Sequence, residues 1–146
     1  MELVVKLLSL TAIGAIELWA AIPAGLAMKL NPVLVGLFSA VGAVIGASVI
    51  VVLGDRVRNW LLQRRGKKDP EQRGRIYRIW ERYGAIGLGL LAPLITGAPL
   101  GAAIGISLGA SPGRLMFWVI IGIIVWTILL TLAGTLGLEG IKLLWQ

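Results

Sequence analysis

Pro23-Ala24-Gly25-Leu26-Ala27 returns as Pro99-Leu100-Gly101-Ala102-Ala103, each time inside a strongly apolar run. A proline-started apolar stretch follows each copy: Asn31-Pro32 opens the first and Ser111-Pro112 the second. An apolar segment interrupted by proline, paired with an unbroken span and duplicated, is the pattern of a transporter-like fold with internal repeats. A soluble protein has little use for it, and a simple anchor needs no repeat.

Composition agrees. Of 146 residues 58% are hydrophobic and 14% charged, against about 25% charged in soluble domains. No charge falls in 33–54, 83–113 or 115–138, and about 20 apolar residues suffice to span a bilayer. The reading is an all-α integral membrane protein, a single membrane domain over 1–146. Repeat 1 covers 2–54, a basic linker 55–82, repeat 2 84–137 and a tail 138–146. Cysteine and histidine are both absent, so disulfides and thiolate or imidazole metal sites are excluded. No cofactor and no metal is expected. The first apolar run lacks a basic flank, its first charge being Glu2. It therefore reads as part of the mature protein rather than as a signal peptide.

The first broken segment, about 2–30, is expected to break around Ala20–Gly25, because Pro23 lacks an N–H and clashes with the turn before it. Two arms of about a dozen residues reach about 18 Å each, half a bilayer. A re-entrant hairpin fits that length better than two crossings, with a single kinked span as the alternative. Asn31 then offers an N-cap and Pro32 the first helical position. Gly42 and Gly46 form a GxxxG pattern suited to close helix packing, either inside the protomer or across a dimer.

Residues 55–82 hold ten Lys or Arg against four acids. Val57, Trp60 and Leu61 share one helical face, and Ile76, Ile79, Trp80 and Tyr83 another. Two amphipathic surface helices are expected, and the positive-inside rule makes this segment cytoplasmic. It reads first as a topology signal and solvated anchor. The alternative is recognition of anionic lipid headgroups by Arg56, Arg58, Arg64 and Arg65. A juxtamembrane loop is a poor nucleic-acid surface, so no nucleic-acid partner is expected.

The second broken segment, 84–110, contains Pro93 and Pro99 and a glycine every four residues: Gly97, Gly101, Gly105 and Gly109. On one helix that row forms a smooth groove. The spans align at an offset of 80, with Pro32 on Pro112, Gly42 on Gly122 and Gly54 on Gly134. The broken segments align best at 76, placing Glu17 on Pro93, Pro23 on Pro99 and Gly25 on Gly101. The difference is about one extra helical turn in the second copy. If both broken segments are hairpins, the halves are oppositely oriented inverted repeats whose tips meet near the midplane.

Glu17 stands alone between Lys6 and Lys29. It should lie about 15–18 Å deep, near the bilayer centre. A carboxylate there costs at least a few kcal/mol unless protonated or paired, and the default reading is a functional site. The alternative is a structural acid bonded to free amides at the break. Enzyme chemistry fares badly: one carboxylate makes no dyad, and Ser and Thr have no histidine partner. No glycine-rich phosphate loop sits in a strand–turn–helix setting either. The protein is not expected to be an enzyme.

Glu17-Leu18-Trp19-Ala20-Ala21-Ile22-Pro23, Pro93-Leu94-Ile95-Thr96-Gly97-Ala98, Trp126 and Gly134 together resemble the family of small multidrug export proteins. That family looks like a relative of the DedA (VTT) membrane protein superfamily, and Gly54-Asp55-Arg56 is similar to the end of that superfamily's first span. The resemblance covers about 14–137. It implies two re-entrant hairpins packed on tilted spans, and proton-linked movement of a lipid-phosphate carrier or of amphiphilic cations. Glu17 takes the place of the family's buried acid, and Pro23, Pro93 and Pro99 of its hairpin breaks. Where the resemblance would place arginines, this chain has Trp19, Leu90 and Thr96, which disfavours tight binding of a lipid phosphate.

The leading expectation is a small DedA-like, proton-linked transporter or flippase of the cell membrane, multi-pass, with its substrate site between the hairpin tips. Glu17 would accept a proton or cation, Thr96 would give a polar contact, and Trp19 an apolar or cation–π wall. Membrane lipids and a small-molecule or lipid substrate are the expected partners. A homo-oligomer is expected too, since so short a chain has few helices to enclose a path. The rivals are a scaffold that binds anionic lipid or a partner through 55–82, and a passive channel.

Overall fold

The computed structural model describes residues 1–54, 56, 59, 63 and 84–144. Among these there are six helices and no strand: α1 (Glu2–Ile16), α2 (Leu18–Ala27), α3 (Pro32–Val52), α4 (Ala85–Ile95), α5 (Ala98–Ser107) and α6 (Pro112–Leu144). Two stretches are long and apolar enough to cross a membrane, Pro32–Val52 and Pro112–Gly137. The surface segment expected at 55–82, with Arg58, Arg64 and Arg65, lies outside the described residues, as does Trp145; Arg56 is described and exposed.

The sequence cues for α3 hold. Asn31 caps it, its side-chain oxygen accepting from the Val33 N–H at 2.9 Å, and Pro32 takes the first turn. Its outward stripe, Val33, Leu37, Val41, Ile45 and Val49, is apolar and exposed. Its inward face, with Val35, Ser39, Ala43 and Ala47, is fully buried. A helix apolar all round suits a membrane span or a deep core.

The breaks are not where the prolines suggested. Pro23 lies inside α2, and the chain instead breaks at Glu17, extended at φ −140° and ψ 106°. A proline disturbs the turn before it; here that turn is 19–22, and the helix restarts just upstream, at Leu18. Pro93 likewise lies inside α4, and the second break falls at Thr96–Gly97, two residues before Pro99. Gly25 and Gly101 are helical, and their role is close packing. A Cβ at Gly25 would lie 2.9 Å from Leu10 Cδ2, so α2 doubles back along α1. A Cβ at Gly101 would run into that of Ala92, so α5 doubles back along α4.

The glycine row is likewise no single groove. Gly97 and Gly109 sit at the two ends of α5 with φ of 79° and 89°. Only Gly101 and Gly105 lie within it, against Ala92 and Leu115 respectively. Gly42 and Gly46 pack on the α1 backbone at Thr11 and Ala15, which is the intramolecular use of the GxxxG pattern.

The two halves share local features at an offset that the sequence motif obscured. Gly25 abuts Val35, and Gly105 abuts Leu115. Both short helices close with the same double turn. Leu30 N–H donates to Gly25 O at 3.3 Å and Lys29 N–H to Leu26 O at 3.0 Å; Ala110 N–H donates to Gly105 O at 2.9 Å and Gly109 N–H to Ile106 O at 3.0 Å. These are Schellman motifs with a left-handed residue at their centre, Lys29 at φ 58° and Gly109 at φ 89°. All these pairs differ by 80, so Glu17 corresponds to Gly97 rather than Pro93, and Pro23 to Ala103 rather than Pro99. The offset of 80 does not extend to the contacts of α1 and α4. Gly42 meets Thr11 and Ala15, whereas Gly122 meets Gly89 and Leu90 instead of the 91 and 95 of a uniform offset.

Two contacts join the halves reciprocally. A Cβ at Gly134 would lie 2.5 Å from Leu26 Cδ1, and one at Gly54 would lie 2.7 Å from Ile106 Cδ1. The chain just past α3 thus meets α5, which leads into α6, and the later part of α6 meets α2, which leads into α3, so α3 and α6 run antiparallel. Leu10, Leu18, Ile22, Leu115, Val119 and Ile123 fill the core between them.

Candidate functional site

Glu17 ends α1 and begins α2. Its N–H donates to Ile13 O at 2.8 Å and its carbonyl accepts from Ala21 N–H at 3.2 Å, so its backbone closes both helices. Its side chain makes no capping bond. Instead the carboxyl faces the other tip: a Cβ at Gly97 would lie 3.5 Å from both Cδ and Oε1 of Glu17, and 2.7 Å from Ile16 O. Only glycine fits. The φ of 79° favours it, and the Ile16 carbonyl occupies the space that a side chain would need.

The junction collects unpaired polar groups. Glu17 Oε2 is buried with no partner among the described residues. Two helices start here, α2 at Leu18 and α5 at Ala98, and the first N–H groups of a helix have no intrahelical acceptor. Their partial positive charges favour negative charge at the junction. Thr96 immediately precedes Gly97. Its hydroxyl leans only on its own backbone, 3.5 Å from Ala92 O and 3.4 Å from Gly97 O, both long. The structure therefore brings Glu17, Thr96 and Gly97 to one place. Trp19, expected as a wall, is 49% exposed on the first turn of α2 and has no aromatic or cationic partner among the described residues. Pro99 packs at Gly46, beside Ala15, and so anchors the second tip on α3.

No cluster of three or more acidic, histidine or cysteine side chains that could hold a metal occurs among the described residues. The ion pair of Lys6 with Glu2, one turn apart, lies at the far end of α1 from this junction.

Sequence reasoning missed two polar features. Trp126 donates its indole N–H to Leu90 O at 2.7 Å, tying α6 to α4. Pro93 was the available signal, since it disturbs the carbonyls one turn before it. Ser39 is fully buried and its hydroxyl has no partner; its neighbour Gly14 lets α1 approach the Ser39 backbone. Nothing in the apolar run marked that serine.

Two bilayer-length apolar helices, two doubled-back helix pairs and a carboxyl held where their tips meet define a small helical membrane protein. The chain belongs to the family described as "Putative small multi-drug export protein", whose model matches residues 17–129. No curated protein and no solved structure matches this chain.

Proposed function

We propose that this protein exports small amphiphilic molecules across a membrane, coupled to protons through Glu17. The observation that carries the reading is the buried, unpartnered Glu17 carboxyl oxygen where two half-length helices begin. An ionisable group at that depth is costly and is retained where it moves a proton or ion. The family description supports export of small molecules.

In this reading α1–α2 and α4–α5 are re-entrant hairpins. Three of their four arms support it: α2, α4 and α5 have 10, 11 and 10 residues, about 15 Å each, half a bilayer, and α1 with 15 residues reaches about 22 Å. The halves are inverted repeats, supported by the antiparallel spans and the reciprocal Leu26–Gly134 and Ile106–Gly54 contacts. The basic linker is cytoplasmic, the protein is multi-pass, and copies of the chain associate. DedA kinship fits this architecture. An amphiphile is favoured over a lipid-phosphate carrier, because Trp19, Leu90 and Thr96 stand where cations would hold a phosphate.

Flux of a fluorescent amphiphilic cation from proteoliposomes under an imposed pH gradient tests it. Native protein should accelerate gradient-driven flux, and Glu17→Gln should abolish the dependence on the gradient. Native protein with no flux above empty vesicles overturns the reading.

A further inference from the structure

Lys29 holds a left-handed conformation, φ 58°, where the chain turns from α2 towards α3. That backbone disfavours any residue with a Cβ. The residue 80 positions on, in the same kind of turn, is the glycine that suits it, Gly109 at φ 89°. Strain of this sort persists where the side chain is needed. A lysine beside the end of a helix also complements its carbonyl end, but a neighbouring position without backbone strain would serve that purpose equally well.

An apolar groove of about 400 Å³ leads up to this turn. It lies between the second half of α2, lined by Ile22, Pro23 and Ala27, and the later part of α6, lined by Leu130, Ala133 and Gly137. The lining on α2 stops at Ala27, two residues before Lys29. From Leu130 to Gly137 the groove extends about 10 Å along α6. It is open to the surroundings: Pro23, Ala27, Ala133 and Gly137 are exposed, and a Cβ at Gly137 would meet nothing within 4 Å.

The groove and the lysine sit at one edge of the membrane-spanning region. Gly137 ends the bilayer-length stretch Pro112–Gly137, so the groove reaches from the hydrocarbon to the headgroup level. Lys29 precedes α3, whereas the basic linker follows it, so this is the leaflet away from the linker. Lys6, towards the same end of the bundle, is bridged to Glu2. Lys29 is exposed.

We propose that this groove takes one acyl chain of an anionic phospholipid and that the Lys29 ammonium holds the phosphate. Charge complementarity selects the occupant: an uncharged, open, apolar groove accepts a hydrocarbon chain, and a cation at its headgroup end favours an anionic head. Binding needs no gradient, so the site stands apart from the export reading.

Phosphatidylglycerol with a diazirine in its acyl chain provides the test. Full-length protein in alkyl maltoside micelles is titrated with this probe, illuminated and mapped by peptide mass spectrometry, which separates this site from the basic linker. Saturable labelling is expected within 22–27 and 130–137. Unlabelled phosphatidylglycerol should displace the probe there about fivefold better than phosphatidylcholine with the same chains, the effect of one lysine at a membrane surface. Sodium phosphate should not displace it. In Lys29→Gly the two lipids should compete equally, although thermal unfolding should show that variant no less stable than native protein. Gly137→Leu places a side chain in the open space of the groove and should abolish labelling at both segments. Labelling that misses both segments, equal displacement by the two lipids in native protein, or a phosphatidylglycerol preference that survives Lys29→Gly overturns the proposal. So does unchanged labelling in Gly137→Leu, or displacement by phosphate alone.

Discussion

Gly97 lies against the Glu17 carboxyl, its missing Cβ position 3.5 Å from Cδ, and this contact joins the tip of one half to the tip of the other. The two residues stand 80 apart, the offset of the Gly25–Val35 and Gly105–Leu115 contacts, and the glycine leaves the space that the carboxyl approaches. The φ of 79° and ψ of 151° at Gly97 belong to a region that only glycine visits comfortably.

Replacing that glycine therefore acts twice, through backbone strain and through collision with Ile16 O. Gly97→Ala should lose about 3 kcal/mol or more, adding strain of about 1–3 kcal/mol to the clash. Gly87, helical with nothing within 4 Å of its Cβ position, is the control. Gly87→Ala should be neutral or gain about 0.5–1 kcal/mol. Thermal unfolding in detergent separates the two, and equal melting temperatures would show that the tips do not meet as described.

Lys29 is the only non-glycine residue with positive φ among the described residues, at 58°, and its counterpart is Gly109. A left-handed conformation costs an ordinary residue about 1–2 kcal/mol. Lys29→Gly should recover part of this and raise stability by about 1 kcal/mol, less the entropy that glycine adds to the unfolded chain. Gly109→Lys should lose a similar amount. A stability change of the same sign in both variants would argue against the shared Schellman geometry.

Leu26 rests on Gly134 of α6, and Ile106 on Gly54, just past the end of α3. Both side chains are nearly buried, at 8% and 4% exposure. Truncating either to alanine removes apolar contacts and leaves a cavity, a loss of about 2–5 kcal/mol. The two contacts lie at opposite ends of antiparallel helices, so the losses should add within about 0.5 kcal/mol. Chemical denaturation of the single and double variants checks this, and strong coupling between them would place both contacts at one end of the bundle.

Much of this was legible in the chain. The charge-free runs gave the two long helices, and Asn31-Pro32 gave a start that the Asn31 cap reproduces. Isolation among apolar residues singled out Glu17. The register was harder, because alanine and glycine recur so often that Pro23–Ala27 slides onto Pro99–Ala103 one turn out of step. The prolines misled for a physical reason. A proline marks the turn it disturbs, not the residue where the chain finally departs from helix, and that residue was chosen by tertiary packing at Glu17 and Gly97. The buried, unpartnered hydroxyls of Ser39, Thr127 and Thr131 were not legible at all, since serine or threonine in an apolar helix ordinarily bonds its own backbone.

Antiparallel α3 and α6 make a prediction about sidedness. If both cross a bilayer, the residues just before them face opposite compartments. The native chain has no cysteine, so Lys29→Cys and Ser111→Cys each introduce a lone thiol. The basic linker follows α3 and the positive-inside rule draws it to the cytoplasm, which puts residue 29 outside. Arg114, at the start of α6, favours the cytoplasmic side by the same rule, and residue 111 goes with it. A membrane-impermeant maleimide added to intact cells should label the Lys29→Cys variant and reach the Ser111→Cys variant only after permeabilisation. Labelling of both from one side would mean that one long helix does not cross, and the inverted arrangement would fall with it.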